Sequence, residues 1–323
     1  MGYIQGILSR VNISRSLARH GEIVVIVFLF LMVAIASILS PLFLTPLNLS
    51  NILRQAAPLG IVAIGQTFVI LAFGIDLSVS SVATLASIVA AVMMDGKPEN
   101  ILPAVLVGLL IGLVFGFLNG FFITRFKLAD FIVTLAIWSL ADGLMFVYTE
   151  GKEVGHVAPI YMKLNSGDLG PLPVSLVLWI VIVVASYLFL KYGRTGRFIY
   201  AVGGNSEAAR LSGINVGFTK TLVYVLSGLM AAAGGLVLLS RLGVGYPLAG
   251  REFQLDSIAA VVIGGTSLFG GRGGVLGTVA GVLIVSSLNN IFNLTDVSQF
   301  AQFVLKGLVI IFVVALRARN EKA

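Results

Sequence analysis

Long apolar runs separated by short polar intervals dominate the chain from residue 22 onward. A helix that crosses a bilayer needs about 20 largely apolar residues. Runs of that kind are read at 22–40, 57–73, 77–94, 101–123, 129–148, 173–191, 221–240, 257–270, 275–292 and 300–316. The pattern predicts an all-α, polytopic fold of about ten membrane-spanning helices in one transmembrane domain over residues 1–323. Two glycine-broken stretches, 74–81 and 264–274, interrupt the pattern. Such breaks are tolerated at membrane depth only where protein or water covers the freed backbone, so each stretch either spans or re-enters. Along the fourth run Gly108, Gly112, Gly116 and Gly120 recur every four residues. They make one small-residue face suited to close helix contact.

Composition agrees with the pattern. Only 11% of residues are charged and 58% are hydrophobic, whereas soluble domains carry about 25% charge. So few charges cannot cover so apolar a chain in water, which makes lipid its expected solvent. The formal net charge of +7 would suit nucleic acid in a soluble protein. Here the basic residues cluster at the ends of apolar runs, so the charge reads as orientation and no nucleic-acid partner is expected. With the N-terminus in the cytoplasm, fourteen Lys and Arg fall in inner segments and six in outer ones. Arg251 counts among the outer six, and Lys306 lies inside the last run. That bias favours an even number of spans with both termini cytoplasmic, an inner N-terminal segment 1–21 and an inner loop 191–220. The run at 22–40 is too long for a signal peptide, so it is read as a retained span.

Several chemistries are disfavoured. There is no Cys, and His20 and His156 lie far apart, which argues against a metal centre. No segment fits a P-loop: Gly96-Lys97 and Gly151-Lys152 are followed by Pro98 and Glu153. Gly270-Gly-Arg-Gly-Gly274 reads as a tight turn between spans, with an anion-binding nest as the alternative. The inner loop is more informative. Asn205 or Ser206 can cap a short helix, Glu207 suits its positive end and Gly213 stops it. Such a helix either packs on its own bundle or docks a cytoplasmic partner.

Four segments together carry a resemblance. They are Gly74-Ile-Asp-Leu-Ser-Val-Ser-Ser81; Ile199-Tyr-Ala-Val-Gly-Gly-Asn205 with Ala208-Ala-Arg-Leu-Ser-Gly-Ile214; Leu255-Asp-Ser-Ile-Ala-Ala-Val-Val-Ile-Gly-Gly-Thr-Ser267; and Gly270-Gly-Arg-Gly-Gly-Val-Leu-Gly-Thr278. In order and spacing the chain resembles the permease subunits of bacterial ribose-type ABC sugar importers, from about residue 40 to the C-terminus. The family usually has Gly where Ser80 stands. The resemblance implies a type II ABC importer-like permease in the bacterial inner membrane. It implies a second permease copy, identical or a sister chain, cytoplasmic ATPase subunits that hold ATP and Mg, and a periplasmic sugar-binding protein. No cofactor is expected in this chain. Asn205, Ser206, Glu207, Ala208, Ala209, Arg210, Leu211, Ser212 and Gly213 then look like the helix that couples to the ATPase.

Polar residues within the runs are candidates for the translocation path, because ionisable groups in a span are costly. Asp76 can cap the third run or stabilise a broken helix. Asp142 and Lys306 can pair with each other or face a wet cavity. Trp138 lies one turn before Asp142 on the same face. Asn119, Gln66, Asn289 and Asn290 can bind sugar hydroxyls or join helices. An ion-coupled secondary transporter of a small polar solute is the alternative function, kept open by Asp142 and Lys306. An intramembrane enzyme is the weakest reading, since no nucleophile–base pair is visible.

Overall fold

The computed structural model describes residues 32–298, 300–302 and 304–308. The expected inner segment 1–21 and the outlying parts of the runs 22–40 and 300–316 lie outside the described residues. Residues 32–39 are helical, as are 300–302 and 304–308. Between them run α1 (Pro46–Leu71), α2 (Val79–Met94), α3 (Ile101–Arg125), α4 (Asp130–Thr149), α5 (Pro159–Ser166), α6 (Val174–Tyr192), α7 (Arg194–Gly204), α8 (Ser206–Leu211), α9 (Val216–Leu242), α10 (Phe253–Ile263) and α11 (Val275–Leu294). A two-residue hairpin, β1 (Asp168–Leu169) with β2 (Leu172–Pro173), is the described sheet. Six described helices, α1, α3, α4, α6, α9 and α11, are long and apolar enough to cross a membrane, with α3 extended by a 3₁₀ turn at Pro98–Asn100. The apolar helices α2 and α10 are shorter.

α1 begins eleven residues before the apolar run that announces it. Thr45 and Pro46 start it, with the Thr45 side chain accepting from the Asn48 amide. Its first turns are polar because tertiary bonds use them. Asn48 and Asn290 of α11 exchange reciprocal side-chain bonds of 2.9 and 2.8 Å. Arg54 reaches the carbonyls of Asn165 and Gly167 and the Asp168 carboxylate. The strap 150–173 is thereby anchored to α1, and Tyr161 adds a 2.9 Å bond to the Leu236 carbonyl of α9.

α1 and α9 are the central helices, buried along most of their length. α9 packs on α1, α2 and α3, while α6, α10 and α11 pack against α1. The glycine stripe of α3 makes its contact here. A Cβ on Gly112 would stand 2.3 Å from the Gly228 carbonyl oxygen of α9, so the two backbones meet with nothing between them. Where lipid replaces water, such contact and interhelical hydrogen bonds take over from hydrophobic burial.

The eighth expected span is not a spanning helix. α10 has 11 residues, a rise of about 16 Å, against a hydrocarbon core of about 30 Å. The chain before it, 243–252, is not an outer loop either. It pairs with the strap through reciprocal Val154–Gly245 amide bonds of 2.9 and 3.0 Å. It then runs along α2 until the Gly250 amide donates to Thr84 Oγ1 at 3.1 Å. Irregular backbone and short helix together cross the bundle, from the strap to the glycine turn beside Leu71. The stretch after α10 is a glycine turn, as the tight-turn reading expects. Gly270 and Gly271 have φ of +77° and +69°. Their surroundings are protein: the Gly271 amide donates to the Leu71 carbonyl and Tyr200 Oη to the Gly273 carbonyl.

Candidate functional site

The polar residues singled out from the sequence separate into three clusters. The first surrounds Asp76, in the turn between α1 and α2. Asp76 is fully buried. One carboxylate oxygen accepts from the Ser78 amide at 2.9 Å and the Ser78 hydroxyl at 2.6 Å. The other accepts from Ser227 of α9 at 2.8 Å. Asn119 of α3 donates to the Ser78 oxygen at 2.8 Å. Asp76 and Asn119 thus join α2, α3 and α9, and Ser78 rather than Asp76 is the capping position of α2.

The second cluster lines a cavity of about 280 Å³. Trp138, Asp142 and Phe146 come from α4, Ser80, Ser81 and Thr84 from the first turns of α2, and Pro247, Leu248 and Arg251 from the irregular crossing. The helical spacing that puts Trp138 and Asp142 on one face is realised, since both face the cavity. Asp142 is half-buried. It accepts one hydrogen bond, from Ser81 Oγ at 2.8 Å. Thr84 is oriented through its hydroxyl, which donates to the Ser80 carbonyl while accepting from the Gly250 amide. That bond fixes the crossing segment beside the cavity. Sequence reading missed Arg251, Ser81 and Thr84 as site residues. A cation five residues before Asp256, ahead of a short apolar run, was the available signal for Arg251.

The third cluster centres on Lys306. Its ammonium lies 3.1 Å from Asp256 and 3.2 Å from Glu252, so it does not pair with Asp142 as one reading allowed. The reason is placement: Asp142 faces α2 and the segment 247–251, whereas Lys306 faces Asp256 of α10 and Glu252 just before it. Asn289 of α11 donates to Asp256 at 3.0 Å. The adjoining cavity, lined by Asp256, Asn289 and Lys306 among others, is about 20 Å³. That is room for little more than one water. The Gln66 side chain, fully buried in α1, makes no hydrogen bond to a described residue.

At the opposite end of α1 from the strap, the segment 191–220 is nearly all helix. α7 precedes the expected short helix and was not foreseen. Gly203 of α7 stands against the Leu71 carbonyl and Gly271, so α7 seats on the bundle. α8 projects from it. Asn205 Oδ1 accepts from the Ala208 amide at 2.9 Å, the cap its sequence calls for. Gly213 follows with φ +81°. Ala209 is buried, while Glu207, Ala208, Arg210, Leu211 and Ser212 are exposed. Leu211 leaves 74% of its surface uncovered. Glu207 and Arg210 form an exposed ion pair, and the hydrogen bond from Arg210 holds the Glu207 carboxyl below its ordinary range. Among the described residues no group of His, Cys, Asp and Glu is placed to hold a metal ion.

Comparison with known proteins bears on both regions. Residues 48–314 match the family described as the permease component of branched-chain amino acid transport systems. The ribose import permease protein of Bacillus subtilis (strain 168) is 46% identical over 295 residues, 91% of each chain. Its counterpart from Escherichia coli (strain K12) is 42% identical over 302 residues, 92% of this chain and 93% of its own. The L-arabinose transport system permease protein of Escherichia coli (strain K12) is 37% identical over 305 residues, 94% of this chain and 92% of its own. No solved structure matches the chain.

Proposed function

The chain belongs to the permease-component family of branched-chain amino acid transport type, and from that premise we propose that it is the membrane-spanning subunit of an ATP-binding-cassette importer for a sugar. One observation carries the reading. The similarity to permeases named for ribose and L-arabinose extends over nine-tenths or more of both partners, so it covers the whole transport architecture rather than one motif. In this reading the chain lies in a bacterial inner membrane with both termini cytoplasmic. A second permease copy, identical or a sister chain, completes the path. Separate cytoplasmic ATPases hold ATP and Mg, and a periplasmic binding protein delivers the sugar.

Residues 205–213 are proposed as the coupling helix. A capped, projecting helix with an exposed leucine at its end suits a cleft in a partner protein. Trp138 and Asp142 are proposed for the path, because they face the larger cavity. Asp76, Asn119, Asn289 and Lys306 are proposed to hold the helices around it.

The test is replacement of Glu207–Leu211 by a Gly-Ser linker. The chain should then lose co-purification with its ATPase and ATP-driven uptake in vesicles. Retention of both would remove the coupling assignment. Uptake driven by a proton or sodium gradient without ATP would instead favour a secondary transporter. That alternative drew on Asp142 and Lys306, and Lys306 is neutralised by Asp256 and Glu252.

A further inference from the structure

The larger cavity has a composition that helix packing does not require. In this bundle, contacts between helices use glycine and alanine faces, or polar groups that satisfy one another, as around Asp76. The cavity instead brings a carboxylate, a guanidinium, three hydroxyl side chains and an indole to one hollow of about 280 Å³. Two kinds of backbone hold them. Ser80, Ser81, Thr84, Trp138 and Asp142 sit on regular helices, whereas Arg251 is delivered by the irregular crossing pinned to Thr84. Both charged residues retain exposed surface while Ser80, Ser81 and Thr84 are buried. The hollow therefore has a buried hydroxyl floor and charged side chains with access to its contents.

From this, and resting on the transport reading above, we propose that the cavity is a recognition subsite for an uncharged, hydroxyl-rich solute of monosaccharide size. The permease itself then screens what the delivering protein hands over. The physical grounds are three. One carboxylate and one guanidinium give no net charge, so an anionic sugar phosphate gains nothing that the Asp142 carboxylate does not oppose. A carboxylate accepts from adjacent hydroxyls, and a planar guanidinium donates to a pair of oxygens through its fork. An indole face offers an apolar surface to the C–H side of a sugar ring, as Trp does at many small-ligand sites. The volume falls just below the range of drug-sized ligand cavities, which begins near roughly 300 Å³, as suits a solute as small as one sugar ring. A zwitterionic amino acid is the competing class, since its ammonium and carboxylate also complement Asp142 and Arg251. The hydroxyl floor and the indole favour the polyol.

The experiment uses the complete importer in vesicles, with D-ribose, L-arabinose, D-ribose 5-phosphate and L-leucine as probes. Wild type should take up a pentose with ATP, and neither the phosphate nor leucine should compete. D142N and R251Q should each lower pentose transported per ATP hydrolysed by about tenfold, the effect of deleting a charged hydrogen-bonding partner. R251K, which keeps the charge but loses the fork, should recover only part of it. The chain contains no Cys, so L248C places a single thiol on the cavity wall of an otherwise unaltered protein. Its labelling by a membrane-impermeant thiosulfonate should slow several-fold when pentose is delivered. Unchanged transport per ATP in both variants overturns the subsite, as does L248C labelling that pentose leaves unaltered. Protection by leucine in place of pentose also overturns it and assigns the cavity to amino acids. Failure of the wild-type complex to transport with ATP overturns the transport reading, and the subsite with it.

Discussion

Ser78 and Ser81 stand one turn apart at the start of α2, and each donates its hydroxyl to a carboxylate. Asp76 is enclosed and accepts three hydrogen bonds, from two serine hydroxyls and a backbone amide. Asp142 is half-buried, accepts one, and faces a cavity. Both residues are acids in a membrane protein, and the rarity of such groups marks both as functional candidates. Their surroundings separate them. A carboxylate whose acceptor positions are filled by its own protein joins helices, and one with unused acceptor capacity facing a hollow is free to bind something else. Asp256 falls between, enclosed like Asp76 but balanced by the Lys306 ammonium.

That contrast can be broken by measuring stability and transport on the same variants. D76A should have the largest effect on stability. It strips the acceptor from the Ser78 amide and the Ser78 and Ser227 hydroxyls in a closed site. At about 1–3 kcal/mol for each buried group left unpaired, the bundle should lose several kcal/mol and accumulate poorly. D76N, which keeps one carbonyl acceptor, should lose less. Melting curves in nanodiscs decide this, and a D76A protein that melts like wild type would erase the distinction.

K306M should rank next, costing about 3 kcal/mol because it leaves the buried Asp256 carboxylate unbalanced. D256N on the same chain should restore most of the loss. A double variant no better than K306M would show that the pair is not what matters there.

D142A should cost less, about 1.5 kcal/mol of stability, the low end for one hydrogen bond to a charged group, because the site is half-exposed. Its transport should nevertheless fall. An equal collapse of D142A and D76A in melting would sink the comparison. E207Q should be the mildest, because both partners of the Glu207–Arg210 pair are exposed and such pairs contribute little. The sign follows from the lowered Glu207 carboxyl. A depressed carboxylate contributes fully above its unfolded value of about 4 and loses that contribution only as the pH falls further. Any margin of wild type over E207Q is therefore largest at neutral pH, where so exposed a pair keeps it small, and it closes as the pH falls below about 4; a large margin at neutral pH would show that α8 depends on the ion pair.

Legibility varied with the range of the interaction that decides each feature. The α8 cap, the glycine face of α3 and the shared face of Trp138 and Asp142 all follow from spacings of four residues or fewer. The first turns of α1 were hidden because their polar residues bond to partners more than a hundred positions away, at 165–168 and 290. Arg251 was hidden for a related reason. The bonds that draw 243–252 inward run to Val154 and Thr84, and no local pattern carries them.

The amino-acid sequence by itself determined that this is a helical, multi-pass membrane protein, where most of its helices lie, and the relationship that joins it to sugar permeases. Those are properties of apolar runs, local periods and motif order, which are written one segment at a time. Which carboxylate is enclosed and which opens on a cavity was decided only by tertiary structure. Asp76, Asp142 and Asp256 carry the same functional group. What differs is how many donors the packing of distant helices brings within hydrogen-bond reach, and only the assembled bundle sets that number.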